Sequence, residues 1–352
     1  MANYREIASF LKTKVPQDFS PKIGIVCGSG LSSLSDGMTE QVTIPYSSIP
    51  GFPQTSVAGH KGELVFGYLS GTPTVCLRGR FHSYEGHSHD ICALPVRVFR
   101  CLGVKLAVIT NAAGGLNPNY NVGDVAIVMD HLALPNLASK NCLVGPNDDE
   151  LGPRFPPMSN AYDKELQEVV VKTAKELKFD FIRENGTYCF VSGPMYESAA
   201  ESRFLQSIGG DTVGMSTIPE VVAAHHCGIQ VLVMSLVTNK VVMPGDDGPA
   251  ANHLEVLDAV NMRGDQIQKL VKETVANLSK KGGWLENRAD LAVIDLSKKW
   301  KGGGGEGGGG GHAWGASQVR SLWGFNCVSS VLFMGQVCVD EERATYEIKK
   351  QK

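Results

Sequence analysis

The strongest constraint on the fold is a recurrence of short apolar runs rich in β-branched residues. They read "KIGIVC", "ELVFGYL", "TPTVCLRG", "VKLAVIT", "VAIVMD" and "IQVLVMSLVT". Each stops at Gly, Asn or a polar cluster, as buried strands do. Helical patterns lie between them, among them "YDKELQEVVVKTAKELK" and "ESAAESRFLQSIG". The longest runs from about His253 to Ser279, with Leu254, Leu257, Val260, Ile267, Leu270, Val271, Val275 and Leu278 near helical spacing. Strands alternating with helices predict an α/β fold: a single domain around a central mixed β-sheet flanked by helices.

The 352 residues, 43% hydrophobic, are enough to bury a sizeable core. A net charge of -3 with a pI near 6.3 offers no basic surface for nucleic acid or an anionic membrane. The start, "MANYREIASFLKTKVPQDF", lacks the long apolar core of a signal peptide. The run around "IQVLVMSLV" falls far short of the roughly 20 residues that span a bilayer. Nine cysteines without a CxxC read as reduced, mostly buried thiols. The expectation is a soluble cytoplasmic protein. Its character changes near the end, where residues 302–311 read "GGGGEGGGGG", a flexible linker by composition. Trp284, Trp300, Trp314 and Trp323 are all of its tryptophans and all lie beyond residue 283. The expected division is therefore 1–283 as the folded domain and 284–352 as linker and flexible tail.

Three of the apolar runs end in small or amide residues. "VCGSGLSSL" follows the first, where Gly28 and Gly30 let backbone approach a ligand and Ser29 can donate to an anion. Ser33 stands where a dinucleotide fingerprint needs its third glycine, so that motif is absent. "AVITNAAGGL" ends in Asn111 to Gly115, exposing backbone groups to a flat ligand, and "VTNKV" ends with Asn239. Asparagine both donates and accepts, which suits a purine edge. Each of these is equally well an ordinary turn when taken alone.

Helix starts add a second signal. Thr217 with Glu220, Ser198 with Glu201 and Asn252 with Glu255 have the spacing of capping boxes. Beside these starts stand Ser216, Glu197 and His253. A helix N-terminus favours an oxyanion near Ser216 and a neutral His253, while Glu197 also reads as a simple N-terminal charge. His82, His87 and His89 match no metal-ligand spacing, so no metal is expected. His225 and His226 read as structural.

Taken together, "GSGL", "VAGHKGELVFG", "GRFHSYEG", "TNAAGGLN", "GPNDDELGPRFPPMSNAYD", "SGPMYES", "VGMSTIPEV", "TNKV" and "NHLEVL" occur in order. From about residue 5 to 280 the chain resembles the trimeric purine nucleoside phosphorylases that act on 6-oxopurines. The resemblance implies phosphorolysis of inosine, guanosine and their deoxy forms to free base and (deoxy)ribose 1-phosphate, in purine salvage. It implies a homotrimer with no cofactor, phosphate being a co-substrate. Phosphate would be held by Ser29, His60, Arg80, His82, the backbone at Ala112, and Ser216; arginine supplies a charged fork suited to it. Tyr84, Met215 and His253 would meet the ribose, and Glu85 would brace the basic side chains. The base would lie on Tyr196 against Ala112, Ala113 and Gly114. Glu197 would accept its N1–H and Asn239 would donate to the nitrogen that gathers charge, with Glu197, Asn239 and His82 as the catalytic set. Phe155 would close a neighbouring subunit's site. Tyr196 stands where that family usually has Phe, and Ser32 where Gly is common. A methylthioadenosine phosphorylase would instead carry an acid at the position of Asn239 and no histidine for a 5′-hydroxyl. A non-catalytic nucleoside binder would have no use for Ser29, Arg80, His82 and Ser216 together.

Overall fold

The computed structural model describes residues 3–57, 59–245, 253–281 and Leu296. All of these belong to the first of two units, Met1–Gly303 and Gly304–Lys352. In chain order the elements are α1 (Tyr4–Lys12), β1 (Ile23–Val26), β2 (Thr39–Pro45), β3 (Glu63–Leu69), β4 (Thr72–Arg78), α2 (His89–Leu102), β5 (Leu106–Gly115) and β6 (Val125–Ala133). Then follow α3 (Leu134–Leu137), α4 (Lys164–Glu176), β7 (Ile182–Phe190), α5 (Ala199–Ser207), β8 (Thr212–Gly214), α6 (Ile218–His226), β9 (Gln230–Lys240) and α7 (His253–Lys280). The predicted α/β fold with a mixed central sheet is what forms.

The sheet has nine strands in the order β2-β3-β4-β1-β5-β8-β7-β6-β9, and β5 also pairs with β9. β1 runs parallel to β4 and β5, and β5 parallel to β9. With β8–β5, β7–β8, β6–β7 and β6–β9 also paired, the last five strands close into a ring. The period of two decides the layers. Ile23 and Ile25 of β1, Cys76 of β4, and Leu106 and Val108 of β5 pack with Ile267, Leu270 and Val271 of α7 and Leu166 of α4. Their alternates, Val26, Val75, Leu77, Ala107 and Ile109, pack with Phe99 of α2, Val221 of α6 and Leu11 of α1. Helices thus cover both faces, which is why these strands are apolar throughout.

Because β1, β4, β5 and β9 are mutually parallel, their carboxyl ends open on one edge. In open α/β sheets that edge is where ligands bind. Gly28 makes the edge tight: a Cβ there would lie 2.7 Å from Asn111 Cα. Its N–H instead donates to Thr110 Oγ1 at 3.0 Å, which joins the end of β1 to β5. The described cysteines are buried and free of disulfides. Among the described residues no helix is long and apolar enough to cross a membrane. The expected linker and tail, 284–352, lie outside the described residues except for Leu296, which is partly buried against the α1–α2 core cluster.

Candidate active site

The chain ends of these strands line one cavity of about 370 Å³. Gly28 and Ser29 come from the turn after β1, Arg80, His82 and Tyr84 from the loop after β4, and Asn111 to Gly114 from the end of β5. Tyr196 and Glu197 come from the segment after β7, Met215 and Ser216 from the end of β8, and Thr238 and Asn239 from the end of β9. Val57, Val213 and Val256 add apolar wall.

One end of the cavity is built around Arg80, which is 1% exposed. Its Nη2 donates to Thr110 O at 2.6 Å, and its Nη1 donates to both Ser216 Oγ and Thr217 Oγ1 at 2.8 Å. A guanidinium that occupies a lone pair of the Ser216 hydroxyl leaves the hydroxyl hydrogen to point elsewhere. Ser29 Oγ lies 3.3 Å from His60 Nε2, while His60 Nδ1 faces Arg80 O at 3.2 Å. Burial, then the nearby His82 and Arg80, holds the His60 imidazole down to about 4, so it is neutral at pH 7. His82 stacks on Tyr84 with centroids 4.6 Å apart, and its Nδ1 lies 3.1 Å from Glu85 Oε2. Burial also pushes His82 below its usual range, against the pull of Glu85. Burial raises Glu85, but hydrogen bonds from His82 and from the Ser56 N–H and hydroxyl outweigh it and bring it to about 2. Glu85 therefore braces the loop as a carboxylate. The Ser32 hydroxyl donates to Gly59 O at 3.4 Å, tying the turn after β1 to the loop that carries His60.

The other end depends on a register shift. β5 and β9 pair Ala113 with Val237 but Gly114 with Asn239, which leaves Thr238 as an extra residue. Such a bulge re-aims the next side chain. The Thr238 hydroxyl donates to Asn239 Oδ1 at 3.1 Å, so Nδ2 is turned away as the donor, on the side of Gly114. Glu197 is partly buried, and burial raises its carboxyl above the usual range. Tyr196, 42% exposed, lies at the rim.

Several expectations change here. Thr217 and Glu220 do not form a capping box: Thr217 has φ 78° and no capping hydrogen bond. Its Oγ1 is held by Arg80 and by Asn111 Nδ2 at 3.0 Å, and Glu220 faces Arg80. The Ser198–Glu201 box does form, and Asn252 lies outside the described residues. His253 opens α7, but its side chain lies outside the described residues. The three neighbouring histidines diverge, His82 to Glu85, His87 to Gln54 O and His89 to Lys140 O. His225 and His226 bond Pro157 O and Asn147 Oδ1, which supports their structural reading. Phe155 is 86% exposed on an irregular loop, apart from the residues lining its own chain's cavity.

Residues 22–276 match the sequence model of the phosphorylase superfamily. The purine nucleoside phosphorylase of Bos taurus is 44% identical over 280 residues, 80% of this chain and 96% of that protein. The chain belongs to the purine nucleoside phosphorylases. The crystal structure of Schistosoma mansoni purine nucleoside phosphorylase with inosine is 47% identical at a TM-score of 0.75, covering 78% of this chain and 96% of that one. The same enzyme with adenosine is 46% identical at 0.75, covering 79% and 99%.

In this phosphorylase the side chains that sequence reasoning missed are those behind the cavity wall. Thr217 and Glu220 set Arg80 there, and the Asn111 amide, from a residue that itself lines the cavity, turns back to Thr217. Thr217 and Glu220 lay in a motif that spells a cap equally well. Only the positive φ of Thr217 separates the two, and no residue type announces it.

Proposed function

We propose that the chain catalyses phosphorolysis of 6-oxopurine nucleosides, namely inosine, guanosine and their deoxy forms, giving free base and (deoxy)ribose 1-phosphate for purine salvage. The observation that carries this reading is the spacing of two unlike sets of groups along one strand. Arg80 touches β5 at Thr110, while Asn239 pairs with β5 at Gly114. Four residues of extended strand separate them by about 13 Å. That length suits phosphate at one end and a purine at the other, with Tyr84 and Met215 beside the sugar between.

The chemistry follows from charge. As the C1′–N9 bond loosens, the sugar becomes oxocarbenium-like and the purine gathers the electron pair. A phosphate oxygen held by Ser29, Arg80, His82, Ser216 and the Ala112 backbone, with His60 beside Ser29, stabilises the cation and then bonds to C1′. His82, with Nδ1 on Glu85, offers Nε2 to the P–O–H of hydrogen phosphate. Asn239 Nδ2 donates to the purine nitrogen that becomes negative, and Glu197 accepts from N1–H. His253 meets the ribose 5′-hydroxyl. Positioning and fixed dipoles supply the acceleration, without a metal or organic cofactor in the scheme. Adenosine lacks N1–H and leaves Glu197 facing an acceptor, a mismatch that in a hydrogen-bonding site discriminates by roughly 10⁴. Phosphate-dependent turnover of inosine and adenosine tests this; equal kcat/KM for both would remove the 6-oxo preference.

The active unit is expected to be a homotrimer in which Phe155 of one subunit covers the next subunit's cavity. Its exposure and its Gly/Pro-rich loop support a projecting role. Light scattering coupled to the assay decides; a fully active monomer would sink the idea.

Residues 1–283 are proposed to carry the whole activity. A truncation there is expected to keep kcat/KM for inosine and to emit only tyrosine fluorescence, since every tryptophan is removed. Losing the partly buried Leu296 costs about 1 kcal/mol, less than a fully buried leucine. Loss of assembly or activity would show that the boundary lies farther on.

A further inference from the structure

Glu220 is a buried carboxylate that the proposed chemistry leaves unused. It stands in the first turn of α6, 2% exposed, with Oε2 3.6 Å from Arg80 Nη1. Neither oxygen has a hydrogen-bond partner among the described residues. An ionised carboxylate held this way is costly, and Arg80 is what makes it tolerable.

Apart from the ionised Glu85, the other titratable groups around it bring no charge at neutral pH. A small cavity beside Glu220 is lined by His82 and by His89 and Cys92 of α2. Burial pushes both imidazoles below their usual range and the Cys92 thiol up to about 12. Behind α6, the Cys142 thiol donates to Pro219 O at 3.4 Å, and on β7 the Tyr188 hydroxyl accepts from Ser216 N–H at 3.4 Å. Burial raises each of these to about 12. The Glu85 carboxylate is taken up by His82 and Ser56. Among the described residues, Arg80 is thus the cation that Glu220 faces.

We propose that Glu220 is a positioning residue that shares Arg80 with the bound anion in turn, taking up one proton from solvent when a dianion enters. The proposal rests on the reading of the Arg80 cradle as the phosphate site. With the cavity empty the carboxylate balances the guanidinium. With hydrogen phosphate present, two anions would compete for one guanidinium in a buried setting, and the carboxylate is the one that can be neutralised. The charge then belongs to the ligand: E–COO⁻ + H⁺ + HPO₄²⁻ gives E–COOH·HPO₄²⁻, with no heavy-atom bond made or broken. The carboxyl is poised for this. Burial lifts it to about 7 against the pull of Arg80 and of the Thr217 N–H, which polarises it without reaching hydrogen-bond geometry.

Sulfate is the probe, because it stays a dianion where phosphate itself titrates. Its inhibition constant against phosphate is measured between about pH 7 and 9 on the full chain and on Glu220→Gln. The wild type is expected to bind sulfate up to about tenfold more weakly per pH unit, the signature of one proton taken up on binding. Glu220→Gln is expected to lose that slope and to bind more tightly at the alkaline end. Sulfate competing with equal slopes in both proteins overturns the role of Glu220 alone. Sulfate failing to compete with phosphate overturns the cradle reading beneath it. Should the variant not fold, infrared difference spectra of the wild type at about pH 7.5 are expected to gain a protonated-carboxyl band on sulfate addition, and its absence overturns the proposal.

Discussion

Replacing Arg80 by alanine is expected to raise the KM for phosphate by about 100-fold or more while inosine still binds. Arg80 is the hub of the proposed anion end: it fixes Ser216 Oγ, Thr217 Oγ1 and Thr110 O and faces Glu220. Truncating one partner of a buried, hydrogen-bonded charge pair costs about 2–5 kcal/mol. About 2.7 kcal/mol is already 100-fold. The proposed base end is held by different groups, Thr238 on Asn239 and the β5–β9 bulge, which the substitution leaves in place. The effect should therefore fall on phosphate. Arg80→Lys keeps a charge but lacks the planar fork that spans Ser216, Thr217 and Thr110 together, so it is expected to recover only part of the loss. A phosphate titration of Arg80→Ala with normal saturation would take the guanidinium out of the anion site.

How much of this was legible depended on whether burial leaves a mark on residue type. β1, β3, β4, β5, β6 and β9 read plainly because strands covered on both faces must be apolar throughout. β2 did not read, because six of its seven residues are exposed or only partly buried, "TEQVTIP". β7, "IRENGTYCF", opens with a polar half and becomes continuously buried only from Tyr188. β8 has three residues, too few for any period. α2 carries Pro95 in its interior, a residue that argues against a helix unless packing overrides it. At the site, residues facing the cavity were found through ordered motifs. Those behind it were not: Glu220 follows Thr217 by three, the spacing of a cap, yet Thr217 at φ 78° turns its hydroxyl to Arg80 instead. The bulge at Thr238 likewise has no spelling of its own, though it aims Asn239.

That bulge sets the other large effect. Asn239→Asp is expected to lower kcat/KM for inosine by about 10²–10³ and to shift preference toward adenosine. The Thr238 hydroxyl already satisfies Asn239 Oδ1, so the useful atom is Nδ2, a donor aimed beside Gly114. Removing one donor from a site of developing negative charge costs about 2.7–4 kcal/mol of transition-state stabilisation. Aspartate would keep the acceptor that Thr238 uses and put a second oxygen where Nδ2 was. At neutral pH that oxygen repels a purine gathering electrons. With adenosine the same oxygen accepts from the exocyclic amine, and a protonated aspartic acid can give its proton to the base nitrogen. The burden therefore falls mainly on the 6-oxopurine. Asn239→Ala separates charge from mere loss, since it removes the donor without adding an acceptor and is expected to slow both substrates alike. Thermal unfolding of each variant checks that the bulge survives, because Asn239 is 8% exposed and pairs with Gly114. An unchanged ratio of inosine to adenosine turnover in Asn239→Asp would remove Asn239 from reading the base and leave Glu197 to do so alone.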